Sequence, residues 1–192
     1  MDISGEYMLT NVREMASGFL LMPDHQFQFF FSYGALDRQA KGEWKLEGDQ
    51  VIFNSANWSG ADFTIISSSA DNPEEGIEVV LDPPNPMLAA YLHLSLSRGQ
   101  ADSWIQFRGP GELRLQPQEF DALALQFEFC PERFTVLPVT KGHTRFVIRP
   151  EPTLFELYLN QFTLRYTAEG LSGKHPLLEG TFEYSRTGAG NP

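Results

Sequence analysis

The chain has 192 residues, among them 16 glycines and 13 prolines, and 25 acidic against 14 basic side chains leave it a formal net charge of −11. That length supports one domain or two small ones, with a real hydrophobic core and no help from disulfides. At 42% hydrophobic residues the chain is too apolar for intrinsic disorder. No run approaches the roughly 18 apolar residues of a membrane-spanning helix, and the acidic balance argues against nucleic acid, which needs a basic footprint.

The single cysteine, Cys130, forms no intrachain disulfide and is expected as a small buried or strand-face thiol. Met1-Asp2-Ile3-Ser4-Gly5 shows neither a basic n-region nor an apolar h-region. The chain therefore reads as cytoplasmic as written, or as periplasmic or secreted if a signal peptide was removed ahead of it.

Period-two alternation, the mark of half-buried strands, dominates from the start. Gly5 to Val12 opens the series, and Phe19-Leu20-Leu21-Met22 runs into a turn at Pro23-Asp24-His25. Next, Phe27, Phe29, Phe31 and Tyr33 fall on one face of a strand, with Gln28, Phe30 and Ser32 on the other. Ala40, Gly42, Trp44 and Leu46 make a second stripe, and Glu47-Gly48-Asp49-Gln50 turns the chain into Val51-Ile52-Phe53. Residues 3–54 thus predict an up-and-down antiparallel meander of about five strands.

The polar, acidic run at 67–76 predicts a linker. It separates a meander at 1–66 from a β-sandwich at 77–186, whose last strands are available to complete an N-terminal barrel, and 187–192 is expected to fray. In the second part, Ile77 to Leu81 stops at Asp82-Pro83-Pro84-Asn85-Pro86, and Ala90, Leu92, Leu94 and Leu96 alternate with polar neighbours. Short strands follow at Trp104–Phe107 and Glu112–Leu115, around Gly109-Pro110-Gly111, then at Leu123–Phe129 and Phe134–Val139. Arg145–Arg149, Phe155–Leu159 and Phe162–Tyr166 come next, then a loop at Gly170-Leu171-Ser172-Gly173 and a last strand at Leu178–Tyr184. Short strands punctuated by glycine and proline indicate an all-β protein with very little helix.

Gly5-Glu6-Tyr7-Met8-Leu9, Glu14-Met15-Ala16-Ser17, Tyr33-Gly34-Ala35-Leu36-Asp37 and Gly42-Glu43-Trp44 carry a resemblance over the first 55 residues or so. They are similar to a family of bacterial all-β proteins, often exported, whose lipocalin-like opening reads G-x-Y-x-L, E-M-A-S, Y-G-A-L-D and G-x-W. Residues 77–138 resemble, more distantly, a transthyretin-like or carboxypeptidase-regulatory sandwich, with Pro83-Pro84-Asn85-Pro86 where a simple glycine turn is usual there. The resemblance implies a fold, an antiparallel lipocalin-like meander or barrel packed with a β-sandwich, and a link to the cell envelope. It implies no particular activity.

Catalytic signatures are missing: there is no G-x-S-x-G, P-loop, G-x-G-x-x-G or H-E-x-x-H. His25, His93, His143 and His175 have no metal-ligand spacing, so neither a metal nor another cofactor is expected. The polar cluster to weigh is Glu14, Ser17, Tyr33, Asp37 and Arg38, with His25 on a turn. Glu14 and Asp37 near strand ends would suit acid–base work at a barrel mouth, or simply bond backbone N–H groups and pair with Arg13 and Arg38. Phe27, Phe29, Phe31, Tyr33 and Trp44 would line a cavity for a small apolar ligand, or fill the core.

These features favour a non-catalytic binding or interaction protein that holds a small apolar molecule or a protein partner through an aromatic-lined β surface. Two alternatives stay open. One is a lipocalin-like hydrolase or isomerase with Glu14, Asp37 or His25 as candidates. The other is a homo-oligomeric structural subunit with Phe30, on the opposite face from its neighbours, at the interface.

Overall fold

A run of alternating strands leaves an unpaired edge at each end unless the sheet meets itself, and here it does. In a computed structural model that describes residues 2–34, 36–71, 76–98 and 103–187, the first five strands form an antiparallel meander. They are β1 (Gly5–Leu9), β2 (Met15–Leu21), β3 (Gln26–Tyr33), β4 (Leu36–Glu47) and β5 (Gln50–Ser55). The ring continues from β5 to β14 (Phe162–Tyr166), β15 (Gly170–Lys174) and β16 (Thr181–Arg186), and β16 pairs with β1. The result is a closed eight-stranded antiparallel barrel.

Its interior follows from register. Tyr7, Phe19, Phe29 and Ala40 lie in one inward row across β1 to β4, three rings beside one small residue that leaves them room. Phe19 sits centrally, its ring 4.7 Å from Phe29 and 4.8 Å from Phe53. Below the row, Tyr7 donates its hydroxyl to the Ile3 carbonyl at 2.7 Å, and buried Ile3 joins the core.

Two expectations about the closing strands change. Phe155–Leu159 is not a strand: a 3-10 turn at Pro152–Phe155 leads into a single parallel bridge from Glu156 to Gln39. The reason is length, because β4 outruns β5 and the freed edge of β4 must find partners. The Leu157 N–H bonds the Gln39 carbonyl at 2.6 Å, the Ser55 N–H bonds the Leu159 carbonyl at 2.7 Å, and both leucines enter the core. Gly170-Leu171-Ser172-Gly173, expected as a loop, lies in β15. Gly170 sits at φ +147°, a conformation L side chains rarely adopt, and a Cβ there would stand 2.0 Å from the Tyr184 carbonyl oxygen, so only glycine fits this strand position.

The remaining strands make a separate unit, Ser59–Leu154, inserted in the chain between β5 and β14; Met1–Trp58 and Phe155–Pro192 form the barrel unit. One sheet has the order β10 (Glu112–Leu115), β7 (Ile77–Leu81), β13 (Arg145–Pro150), β6 (Phe63–Ser69), with β7 and β13 parallel. The other runs β12 (Thr135–Pro138), β11 (Ala122–Phe127), β8 (Leu92–Ser97), β9 (Ile105–Gln106). Val79, Leu81, Phe146 and Ile148 from the first share a core with Leu92, Leu94, Leu123 and Leu125 from the second, a β-sandwich.

The two units do not divide at 67–76. β6 runs to Ser69 and pairs with β13 from Phe63 onward, so residues 67–69 belong to the sandwich. Residues 72–75 of the expected linker and 188–192 of the expected tail lie outside the described residues. One short helix, α1 (Pro86–Ala89), occupies what reads in sequence only as a strand stop. Asn85 caps it by accepting the Leu88 N–H at 3.0 Å, with Pro86 at its first position. Among the described residues no helix is long and apolar enough to cross a membrane.

Candidate functional site

The barrel wall separates the polar cluster read from the sequence. Ser17, Phe31 and Arg38 stand in register on β2, β3 and β4 and are buried. Glu14 and Asp37 are exposed, and Tyr33 is 50% exposed rather than the inward end of the aromatic stripe. Strand ends permit this, because the last side chain of a stripe can lie beyond the rim of the core.

His25 is elsewhere. It precedes β3, whereas Glu14 and Asp37 sit at the end of the barrel where β3 finishes. Eight residues of strand put roughly 25 Å between the two ends, at about 3.3 Å per residue. The imidazole of His25 packs instead on Trp44, ring centroids 4.8 Å apart, and the Trp44 indole N–H donates to the Met22 carbonyl at 3.1 Å. No acid–base constellation forms from Glu14, Asp37 and His25.

Phe27, Phe29, Phe31 and Trp44 all point inward and are buried. They meet other rings, with Phe27 edge-on to Phe53 at 5.1 Å and Phe29 tilted on Phe19. The stripe is core material, packed ring to ring.

Among these rings lies a polar chain that the sequence reading did not assemble. His175, only 4% exposed, follows β15. Its Nδ1 accepts the Leu177 N–H at 3.0 Å, so its proton sits on Nε2, which donates to Ser17 Oγ at 3.1 Å. Ser17 passes its own proton to the Phe30 carbonyl at 3.0 Å. With Nε2 protonated and the hydroxyl proton held by a carbonyl, His175 has no lone pair with which to activate Ser17 as a nucleophile.

Phe29, Phe31 and Phe182 surround the imidazole edge-on at 5.8, 5.2 and 5.6 Å, and Tyr184 stacks on it at 6.3 Å. Burial in this cage pushes the His175 pKa down from 6.5 to about 4, and burial likewise pushes the Tyr184 phenol up, with Ser17 acting weakly in the other direction. Ser17 and His175 are 158 residues apart in sequence, and no spacing rule links them.

The outer face of the barrel shows a different feature. Gly18 stands between Met8 and Phe30 in register, and a Cβ there would meet Met8 Sδ at 2.8 Å and Phe30 Cε1 at 3.0 Å. Both side chains therefore lie over the glycine. Phe30 remains 39% exposed, as does Leu20 on the neighbouring strand. A concavity of about 420 Å³ opens beside them, lined by Leu20, Gln28, Phe30, Gln39, Lys41 and Glu156. Lys41 Nζ pairs with Glu156 at 3.3 Å on its rim. A second hollow, about 550 Å³, shares Phe30 and Gln39 and reaches Phe155.

No family model, no curated protein and no solved structure matches this chain. Among the described residues no three or more histidine, cysteine, aspartate or glutamate side chains gather as a metal site. Cys130 is buried and donates its thiol to Glu132 at 3.1 Å.

Proposed function

We propose that the protein is a non-catalytic binding protein, and that its recognition surface is the outer face of β2, β3 and β4 rather than the barrel interior. The observation that carries this is the exposure of Leu20 and Phe30 at 39% each beside the 420 Å³ concavity, in strand positions whose neighbours Gln28 and Ser32 are polar. Apolar side chains held in water beside a hollow, with an ion pair at the rim, have the make-up of a docking site for a partner with an apolar anchor. The interior supports the same choice, since its rings already occupy one another.

Native mass spectrometry of protein purified gently from its own host tests the reading. Wild-type protein is expected to carry an added mass, from a small molecule or a protein, that disappears in the Leu20→Ser, Phe30→Ser double variant. Both positions are at the surface, so the fold should persist. Bare wild-type protein, or an added mass that survives both substitutions, overturns the reading.

A further inference from the structure

The segment between β15 and β16, residues 175–180, crosses the end of the barrel where β2 begins and β3 finishes. Leu177 and Leu178 pack on the barrel core. Among the described residues, no backbone hydrogen bond joins 176–180 to the barrel wall, and the polar tie is His175, bonded to Ser17 on β2 and to the Leu177 N–H of its own loop. One imidazole in its neutral form thus shapes the loop through one nitrogen and fastens it to the barrel through the other.

We propose that this loop is an acid-released latch on the barrel end, closed while His175 is neutral and opened when Nδ1 takes a proton. Protonation removes the lone pair that accepts the Leu177 N–H and sets two N–H groups facing each other. It also places a charge among Phe29 and Phe31 of β3 and Phe182 and Tyr184 of β16, with Ser17 on β2. Of these only Tyr184 is titratable, and its phenol is neutral throughout the acid range, so no carboxylate among them compensates the charge. Swinging the loop out hydrates the imidazolium and uncovers the aromatic interior.

Hydrogen exchange of the full chain, followed by mass spectrometry and corrected for the intrinsic pH dependence of exchange, reads the latch directly. Protection of 175–180 is expected to fall by about tenfold per pH unit between 6.5 and 4, while β2 and β3 stay protected and the far-ultraviolet circular dichroism is unchanged. His175→Gln removes the titration, and its loop protection should be flat over the same range. Should that variant not fold, Ser17→Ala keeps the imidazole but cuts the tie, and its loop should be less protected than wild type already at pH 7. Flat wild-type protection, loop opening only together with loss of the circular dichroism signal, or Ser17→Ala protection equal to wild type each overturns the latch.

Discussion

His175 is a base buried without a counter-charge, and that makes folding sensitive to acid. The unfolded imidazole takes its proton near pH 6.5 and the folded one only near pH 4, so protons favour the unfolded chain. Stability is full above pH 6.5 and declines as the pH falls toward 4, by roughly 3 kcal/mol over that window. Urea unfolding at pH 7 and pH 4.5 checks this: wild type should lose more than His175→Gln, and equal losses would show that other groups carry the acid response. The two hydroxyls beside it should behave differently. Ser17→Ala strands the Nε2–H donor in the core and should cost about 1–3 kcal/mol. The Tyr184 hydroxyl is buried without a standard hydrogen bond, so Tyr184→Phe should change the melting free energy by less than about 1 kcal/mol. A large loss on removing that oxygen would mean that Ser17 serves Tyr184 as much as His175.

At the scale of elements, β15 is the strand least visible in the sequence. Gly170 and Gly173 read as turn residues, yet the first lies against the Tyr184 carbonyl of β16. Gly170→Ala should push β15 and β16 apart and destabilise by about 2–4 kcal/mol, measurable as an earlier denaturant midpoint with an unchanged slope. A neutral result would mean that the pair gives way there at little cost. β3 shows the opposite case. Its Phe27, Phe29, Phe31 row was legible because period two is a local property of the chain, whereas the outward position of Phe30 gains meaning only with Gly18 beneath it and Met8 over the same glycine. Ser17 and Arg38 were legible in the sequence as polar residues to weigh. Their burial was not, because the wall between them and Glu14, Tyr33 and Asp37 exists only once β2, β3 and β4 are in register.

For the whole molecule, the barrel is discontinuous in the chain and the sandwich is an insertion within it. Ser55 and Leu159 are hydrogen-bonded neighbours on either side of the inserted unit, so a short linker can replace residues 59–154. The joined chain of 1–58 and 155–187 should unfold cooperatively and show dispersed amide resonances, since all eight strands of the ring are present. Residues 1–66 alone should not: without β14 to β16 the edges of β1 and β5 lie open and the aromatic row is uncovered. A well-folded 1–66 fragment would contradict the closure described above.

Composition and alternation by themselves determined that this chain is all-β, that its first part is a meander with an aromatic face, and that no familiar catalytic motif is written in it. These are properties of residues within a few positions of one another. Only the tertiary structure decided that the last three strands close the first five into a barrel, that His25 and the rim carboxylates sit at opposite ends, and that His175 meets Ser17. Each of those facts depends on register between segments far apart in the chain. The side-chain period of a strand says which face a residue shares with its neighbours, but not which distant strand will lie beside it.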